Sequence, residues 1–204
     1  MAEAESQVRA LSQGNPSSGT EMSQAAAPVI ADEALAAVAV ENRSAYVELY
    51  RRHVTSVYSY FAWKFGRATA DDLTSETFVR TLNTLRRFDA RRNWKAWLFG
   101  IARNVASEHL RRRMQERRVG GEASEHVDES PTPEDATLDA ERVTLARTLF
   151  ASLNAGEQEL VALRFWAGLS YREVGAVVGV SEGATRVRVH RVLQKLRRRM
   201  EASP

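Results

Sequence analysis

The chain of 204 residues contains no cysteine, so it can form neither a disulfide framework nor a thiolate metal site. It also lacks a run of about eighteen apolar residues, the length that a membrane-spanning helix needs, and it does not open on a basic stretch that leads into an apolar segment. A Gly-rich phosphate-binding loop is absent as well. From these absences we expect a cytoplasmic protein that does not insert into a membrane, binds no metal or cofactor and is not an enzyme.

What the sequence does have is an uneven distribution of charge. Residues 1–43 carry 2 basic and 6 acidic residues, residues 44–118 carry 16 and 7, residues 119–141 carry 0 and 8, and residues 142–204 carry 11 and 5. Two basic segments around an acidic one are suited to two surfaces that bind a polyanion, because each neutralised phosphate releases condensed counterions. Two ordinary solvated helical domains would carry similar charges, so charge alone leaves both interpretations open.

Composition divides the chain at the same boundaries. Residues 1–43 are rich in Ser, Gln, Gly and Ala and lack a sustained apolar period, which predicts a disordered N-terminal extension, although an Ala-rich stretch at residues 30–40 is compatible with a loose helix. Residues 119–141 combine Gly, Pro, Ser and acids, which predicts a flexible acidic linker. The remainder has helical periodicity and no alternating strand pattern. We therefore predict an all-α fold of two small helical domains, at residues 44–118 and 142–204.

One helix of the first domain has paired acids near its start. Thr69 precedes Asp71 and Asp72, which is typical of a helix N-terminus, where oxygens and negative charge stabilise unpaired N–H groups. The helix is expected to run to about Arg87, with an apolar face of Phe78, Val79, Leu82 and Leu85. The opposite face is free to bind a partner and carries Asp72, Glu76, Arg80, Asn83 and Arg87. Capping alone would also explain the acids.

The next helix follows the turn FDARRN and ends in the basic run LRRRMQERR. Spacings of three and four predict a buried stripe of Trp94, Trp97, Leu98, Ile101 and Val105. The other face carries Lys95, Arg103, Asn104 and Ser107. Such a basic run is often only a solvated helix end. Together with Arg91 and Arg92 of the turn it is suited to a broad phosphate-binding surface.

The most specific motif is a helix-turn-helix in the second domain, within LSYREVGAVVGVSEGATRVRVHRVLQKLRRRM. Ser170 is predicted to cap a short helix that ends at Val178, Gly179 supplies the turn, and Ser181 caps the next helix. In that helix the buried arc is Thr185, Val189, Val192 and Leu196. The outward face is Gly183, Val187, His190 and Gln194, with Arg186 and Arg191 beside it and Arg188 nearer the core edge. A helix of this kind can enter the major groove and hold phosphates on both sides.

In their order and spacing these motifs resemble the extracytoplasmic-function (ECF) sigma factors of the sigma-70 family, over roughly residues 44–200. LYRRHVTSVYSYFAWKFG is similar to the family's opening helix, and DDLTSETFVRTLNTLRRFD to its polymerase-docking helix. WKAWLFGIARNVASEHLRRR resembles the helix that reads and melts the −10 element, and the helix-turn-helix resembles the fourth conserved region, which reads the −35 element. Several positions depart from the family pattern. Ser75 stands where Gln is common, and Thr185 stands where Val is common but has nearly the same shape, so packing is expected to survive. Val187 replaces a hydroxyl, which favours an apolar contact such as a thymine methyl.

The resemblance implies a sigma factor that binds core RNA polymerase and directs promoter-specific initiation. Residues 44–118 would be sigma region 2, which docks on the clamp helices of the largest polymerase subunit through Asp72, Glu76, Arg80 and Asn83. The same domain would recognise and open the −10 element through Phe88, Arg91, Arg92, Asn93, Lys95, Arg103, Asn104, Arg111 and Arg112. Residues 142–204 would be sigma region 4, which recognises the −35 element through Ser181, Gly183, Arg186, Val187, Arg188, His190 and Arg191.

Further partners follow from the same resemblance. They are the flap of the second polymerase subunit and an anti-sigma factor, since members of the family are commonly sequestered by such a protein. The acidic linker resembles the segment that occupies the RNA path of the polymerase, where its negative charge imitates nucleic acid.

Two other classes of function stay open at this point. A stand-alone helix-turn-helix regulator would explain the second domain but would leave the Trp-rich basic first domain and the acidic linker without a role. A nuclease would need a metal site or a catalytic cluster, whereas the histidines are scattered without ligand spacing, at His53, His109, His126 and His190.

Overall fold

The computed structural model of the chain describes residues 30–118 and 138–201, and every regular element in these ranges is a helix, as predicted. The first domain contains α1 (Asp32–Ala39), α2 (Arg43–Phe65), α3 (Arg67–Thr84) with a 3-10 turn (Leu85–Arg87), and α4 (Trp94–Arg118). The second contains α5 (Leu138–Ala151), α6 (Ala155–Val161) with a π-helical turn (Ala162–Trp166), α7 (Tyr171–Val178) and α8 (Glu182–Glu201).

Helix α1 corrects the prediction that residues 1–43 form a disordered extension. It packs on the first domain, with Leu35, Ala36 and Ala39 buried. Alanine adds little to a hydrophobic pattern but lets helices approach closely, so composition does not reveal this buried face. Residues 1–29 lie outside the described residues, and there disorder stays a prediction.

An ionic contact fixes the start of α1. Asp32 Oδ1 accepts a hydrogen bond from Arg52 Nη1 at 3.0 Å, and Asp32 Oδ2 lies 2.8 Å from His53 Nε2. Burial alone opposes ionisation of Asp32, but hydrogen bonds and charge from His53 and Arg52 outweigh it and hold the pKa of this carboxyl below its usual 3.8. α1 is therefore anchored by ionisable groups as well as by apolar packing.

The structure changes both the start and the buried face predicted for α3. The helix begins at Arg67 after Gly66, whose φ of 83° ends α2, so Thr69 lies inside the helix and is not its cap. Val79 and Leu82, predicted to be buried, are 58% and 51% exposed.

The buried face of α3 is rich in threonine and consists of Ala70, Leu73, Thr74, Thr77, Phe78 and Thr81. Thr77 and Thr81 each donate a hydrogen bond to the carbonyl four residues earlier, at 2.7 Å. Hydroxyls satisfied in this way can be buried at little cost. This shifts the helix away from the orientation that its largest apolar residues suggest.

In α4 the buried residues include Trp94, Leu98 and Val105, as predicted. Trp97 and Ile101, predicted to belong to the same stripe, are only partly buried because they line a cleft that faces the second domain. Phe99, Ala102 and Ala106 complete the core face in their place.

The boundary of the acidic linker also differs from the prediction of residues 119–141. Helix α5 begins at Leu138, so residues 138–141 are helical. Good helix formers in LDAERVTLARTLF explain this earlier start. Residues 119–137 lie outside the described residues, and there the flexible linker stays a prediction.

The helix-turn-helix matches its prediction closely. Ser170 caps α7 in a capping box with Glu173, and Gly179 ends that helix in the left-handed region at φ 78°. The neighbouring Gly175 is needed for close approach, because a Cβ there would lie 2.6 Å from the Val180 carbonyl oxygen. The predicted arc of α8 faces the core, with Thr185, Val189 and Val192 buried and Leu196 partly buried.

The two domains share one hydrophobic core, which the sequence analysis did not anticipate. The Trp63 and Trp166 rings stack with centroids 4.4 Å apart. Beside them Tyr60 donates a hydrogen bond to Glu159 Oε1 at 2.8 Å, and Lys64 forms an ion pair with the same carboxylate. Burial, reinforced by the carboxylate, raises the pKa of Tyr60 well above its usual 10.0, so this hydroxyl remains a donor.

Candidate nucleic-acid interfaces

A cleft of about 1070 Å³ lies between α4 of the first domain and α7 of the second. Its lining holds two glutamates, Glu33 and Glu173, and four arginines, Arg91, Arg92, Arg103 and Arg172. Trp97 and Ile101 contribute an apolar wall. An excess of arginine beside a flat aromatic surface suits a nucleic-acid strand, whose phosphates need positive charge and whose bases stack.

The turn before α4 is held from both ends. The Phe88 ring contacts the Trp94 and Trp97 rings, with centroids 5.2 and 5.0 Å away. Asp89 Oδ1 accepts a hydrogen bond from the Arg91 N–H at 3.0 Å. Arg91 and the neighbouring Arg92 are exposed at the rim of the cleft.

Asn93 has a structural role beside its predicted one. Its Oδ1 accepts a hydrogen bond from the Ala96 N–H at 2.9 Å, which caps α4. Since the oxygen is used in this way, the amide N–H groups of Asn93 remain to face the cleft.

The structure brings together only part of the predicted −10 set. Asn93, Arg103 and Asn104 line the cleft with Arg91 and Arg92, and the Arg103 guanidinium donates to the Val177 carbonyl of the second domain at 3.2 Å. Phe88 packs against Trp94 and Trp97 and so supports the turn. Four predicted residues are not among those that line the cleft: Phe88, Lys95, Arg111 and Arg112.

Sequence reasoning missed the cleft residues Glu33, Arg172 and Glu173. Glu33 lies on the helix that composition placed in a disordered extension. Arg172 and Glu173 belong to α7, and only their position next to the Ser170 cap marks them in the sequence. Nothing local indicates that α7 faces α4.

The face of α3 predicted to dock a partner is partly engaged within the domain. Arg80 donates to Glu76 Oε1 at 2.5 Å and to Glu108 Oε2 of α4 at 2.6 Å, while Arg112 lies 3.6 Å from Glu76. These hydrogen bonds, first of all the one with Glu108, raise the pKa of the Arg80 guanidinium and lower that of Glu108. Arg80 therefore ties α3 to α4.

Other residues of this face are open. Asp72 and Asn83 are exposed, and Asp72 forms no ion pair with a described residue. The exposed Val79 and Leu82 lie between them in sequence and at helical spacing from Glu76 and Asn83. The face is thus apolar in the middle and polar around it, as a protein-binding surface commonly is.

Every predicted −35 residue, on α8 or directly before it, is exposed: Ser181, Gly183, Arg186, Val187, Arg188, His190 and Arg191. Four of them line a groove of about 420 Å³ with Tyr171 and Gln194. The Arg186 guanidinium lies 5.1 Å from the centre of the Tyr171 ring and 3.1 Å from Glu182 Oε1. Open space surrounds Gly183, where an added Cβ would meet no atom within 4 Å.

Within residues 30–118 and 138–201, no group of three or more His, Asp or Glu side chains could hold a metal ion. None of the helices in these ranges combines the length and the apolar character that a membrane span requires.

The fold and these surfaces define a helical protein with a helix-turn-helix and a second, arginine-lined site. Family models match both parts: Sigma-70 region 2 over residues 47–116 and Sigma-70 region 4 over residues 149–198. The chain is 36% identical to the ECF RNA polymerase sigma factor BldN of Streptomyces coelicolor over 157 residues, which span 76% of this chain and 60% of that protein. It is 33% identical to a probable RNA polymerase sigma-C factor of Mycobacterium bovis, over 81% of this chain and 90% of that one.

Solved structures have the same fold. The structure of CnrH in complex with the cytosolic domain of CnrY has a TM-score of 0.63 and 28% identity, and the match covers 85% of this chain and 99% of that one. RpoE of Bartonella quintana, solved with the anti-sigma factor NepR, has the same fold with a TM-score of 0.58 and 20% identity, over 78% of this chain and 98% of that one. The chain belongs to the ECF sigma factors of the sigma-70 family, and it directs promoter-specific transcription.

Proposed function

We propose that this sigma factor binds core RNA polymerase and reads two promoter elements with separate surfaces, the −35 element with α8 and the −10 element with the cleft beside α4. The observation that carries the proposal is the outward face of α8, where a continuous set of exposed residues lies on the second helix of a helix-turn-helix. The first helix, α7, is capped at both ends, by Ser170 and Gly179. An exposed, preorganised recognition helix is what duplex readout in the major groove requires.

At the −35 element, Arg186 and His190 supply donors for base edges, and Arg188 and Arg191 supply charge for phosphates. Val187 is 51% exposed in the middle of this face. An apolar side chain there favours contact with a thymine methyl, so we expect a preference for thymine at one position of the element.

At the −10 element, the cleft would receive bases of an opened strand. Trp97 offers a stacking surface, Asn93 and Asn104 offer hydrogen bonds, and Arg91 and Arg92 attract the backbone. Arg111 and Arg112, outside the cleft, would extend the basic surface along α4 toward flanking phosphates, and Lys95 would contribute charge near the turn.

For the polymerase, the docking surface would be the face of α3 around Val79 and Leu82, with Asp72, Glu76 and Asn83 at its edge. Arg80 would hold Glu76 in place rather than contact the partner itself, because its guanidinium is shared between Glu76 and Glu108. The clamp helices of the largest subunit would bind here, and the flap of the second subunit would bind the second domain.

We also propose a protein inhibitor of the anti-sigma kind as a partner. The likeness to CnrH, whose structure contains the cytosolic domain of CnrY, supports a protein partner. The resemblance to the family makes an anti-sigma factor the expected kind. Action on RNA polymerase would place the protein in the cytoplasm.

The test is transcription by core polymerase and the purified full chain on a matched promoter, with each element mutated in turn. Arg186→Ala and His190→Ala should weaken recognition of the −35 element by about 1 to 3 kcal/mol each and relax specificity at one position, with polymerase binding intact. Arg199→Ala is the matched control, since Arg199 lies on the same helix but bonds the Ser152 carbonyl at 2.8 Å. Loss of polymerase binding by a folded Arg186→Ala protein would refute the assignment, and absence of any transcript would favour a stand-alone regulator.

A further inference from the structure

We infer that Glu33 is a positioning residue for reading the −10 element. It lies on α1, ahead of the region 2 match that begins at residue 47, and no predicted site residue precedes Asp72. The inference rests on the proposed role of the cleft beside α4. It adds a segment that neither the family model nor the sequence motifs include.

The geometry at the start of α4 carries the inference. Glu33 Oε1 accepts a hydrogen bond from the Trp94 N–H at 2.9 Å, across 61 residues of chain. Asn93 Oδ1 accepts from the Ala96 N–H in the same turn. The two side chains therefore share the unpaired N–H groups of this helix end, and Glu33 adds the negative charge that a helix N-terminus favours.

The helical turn that carries Glu33 is anchored by its neighbouring residues. The preceding residue, Asp32, is bound by Arg52 and His53, and Arg52 also donates to the Ile30 carbonyl at 2.6 Å. Two residues further on, Leu35 is 1% exposed in the shared core. The backbone of Glu33 is thus held from both sides within its own turn.

Glu33 connects the anchored turn of α1 to the cleft beside α4. Glu33 lines the cleft together with Arg91, Arg92 and Asn93, all in the turn that precedes Trp94. Fixing the Trp94 N–H sets where α4 begins, and this sets the direction in which the Asn93 amide and the arginines face. Small displacements of such groups are costly in a site that reads single bases.

The experiment uses the full chain bound to core polymerase. We would compare Glu33→Ala, Glu33→Gln and the control Glu41→Ala, which removes an exposed carboxylate just past the end of the same helix. Opening would be followed by 2-aminopurine fluorescence in the −10 element, and discrimination by comparing intact with substituted −10 and −35 elements. Thermal unfolding of each variant would report the stability of the fold.

Glu33→Ala should lower opening about fivefold, as expected for one lost capping bond, and should reduce discrimination at the −10 element alone. Glu33→Gln should recover most of this loss, because an amide oxygen accepts the same N–H. Glu41→Ala should match the parent. A role limited to stability would instead change both elements alike, in step with the melting temperature.

Equal losses at both elements, no loss at all, or failure of Gln to recover the Ala defect would each overturn the inference. Arg92→Ala and Asn104→Ala separate this result from failure of the proposed function. If they reduce −10 discrimination while Glu33→Ala does not, Glu33 is not a positioning residue. If Arg92→Ala and Asn104→Ala also leave −10 discrimination unchanged, the assignment of the cleft to the −10 element is wrong.

Discussion

The two proposed DNA-reading surfaces differ in what holds their side chains. On α8, Arg186 bonds Glu182 and His190 contacts Gln194, both within four residues of chain. In the cleft, Trp94 is capped by Glu33 and Arg103 bonds Val177, across 61 and 74 residues. The recognition helix is therefore organised locally, whereas the cleft depends on segments that meet only in the folded protein.

This difference predicts different sensitivities. Substitutions far from α8 should leave its outward face intact as long as the helix-turn-helix folds. The cleft should respond to changes in α1 and in the contact between the domains.

The largest effect is expected at the contact between the domains. Lys64 and Glu159 are 10% and 12% exposed, and Tyr60 bonds the same carboxylate. Glu159→Ala leaves the Lys64 ammonium without its partner in a nearly dry site, so we expect a loss of about 3 to 5 kcal/mol in the free energy of unfolding. Chemical denaturation, followed by tryptophan fluorescence, measures this loss.

The paired control for that prediction is Lys64→Met with Glu159→Gln, which removes both charges and keeps an acceptor for Tyr60. Replacing a buried ion pair by neutral groups of similar volume often costs little. The double variant should therefore be more stable than Glu159→Ala. A double variant as unstable as the single one would show that packing, rather than the unpaired charge, dominates this contact.

The second largest effect is expected at Asp32, whose contacts anchor α1 and should make the stability of the protein depend on pH at acid pH. The pKa of Asp32 is lower in the folded chain than its usual 3.8, so its ionised form adds stability above that pH, and this stability is lost as the pH falls through the folded value. Asp32→Asn removes this contribution, with an expected cost of about 1 to 2 kcal/mol at neutral pH. The stability difference between parent and variant should shrink as the pH falls below 3.8. A difference independent of pH would contradict this assignment.

A smaller effect is expected on α3, where two charge reversals distinguish a loss of polymerase binding from a loss of stability. Glu76→Lys places a third positive charge beside Arg80 and Arg112, so we expect about 1 kcal/mol of lost stability together with weaker binding of core polymerase. Asp72→Lys reverses an exposed charge one turn earlier and should weaken polymerase binding at almost no cost to the fold. Binding is measured by titration with core polymerase, and stability by thermal unfolding. If Asp72→Lys binds normally, this acid lies outside the docking surface.

The structure that local contacts determine could be predicted from the sequence, and the structure that distant contacts determine could not. Caps, a turn glycine and a helical period determine α7 and α8, and all three are visible in the sequence, so the outward face of α8 was predicted residue by residue. The buried threonine face of α3 was missed because a hydroxyl satisfied by its own helix resembles a solvated one in any hydrophobic pattern. α1 and the contact between domains were missed because alanine is a weak signal and no local pattern records a partner 61 or more residues away.

The smallest effect should have opposite signs for folding and for promoter binding. Gly183 lies in the first turn of α8, is exposed, and has open space where a Cβ would stand. Gly183→Ala should therefore raise the free energy of unfolding by up to about 1 kcal/mol, since alanine is the better helix former. The added methyl lies on the face proposed to meet the −35 element. Affinity for a promoter with an intact −35 element should therefore fall, whereas affinity for a promoter with a substituted −35 element should not change.

Gly175→Ala is the contrasting change, because its Cβ would meet the Val180 carbonyl oxygen at 2.6 Å and must disturb the turn itself. Thermal unfolding and promoter binding, measured on both variants, give the comparison. A Gly183→Ala protein that is more stable and binds the −35 element unchanged would show that DNA does not approach the first turn of α8 closely.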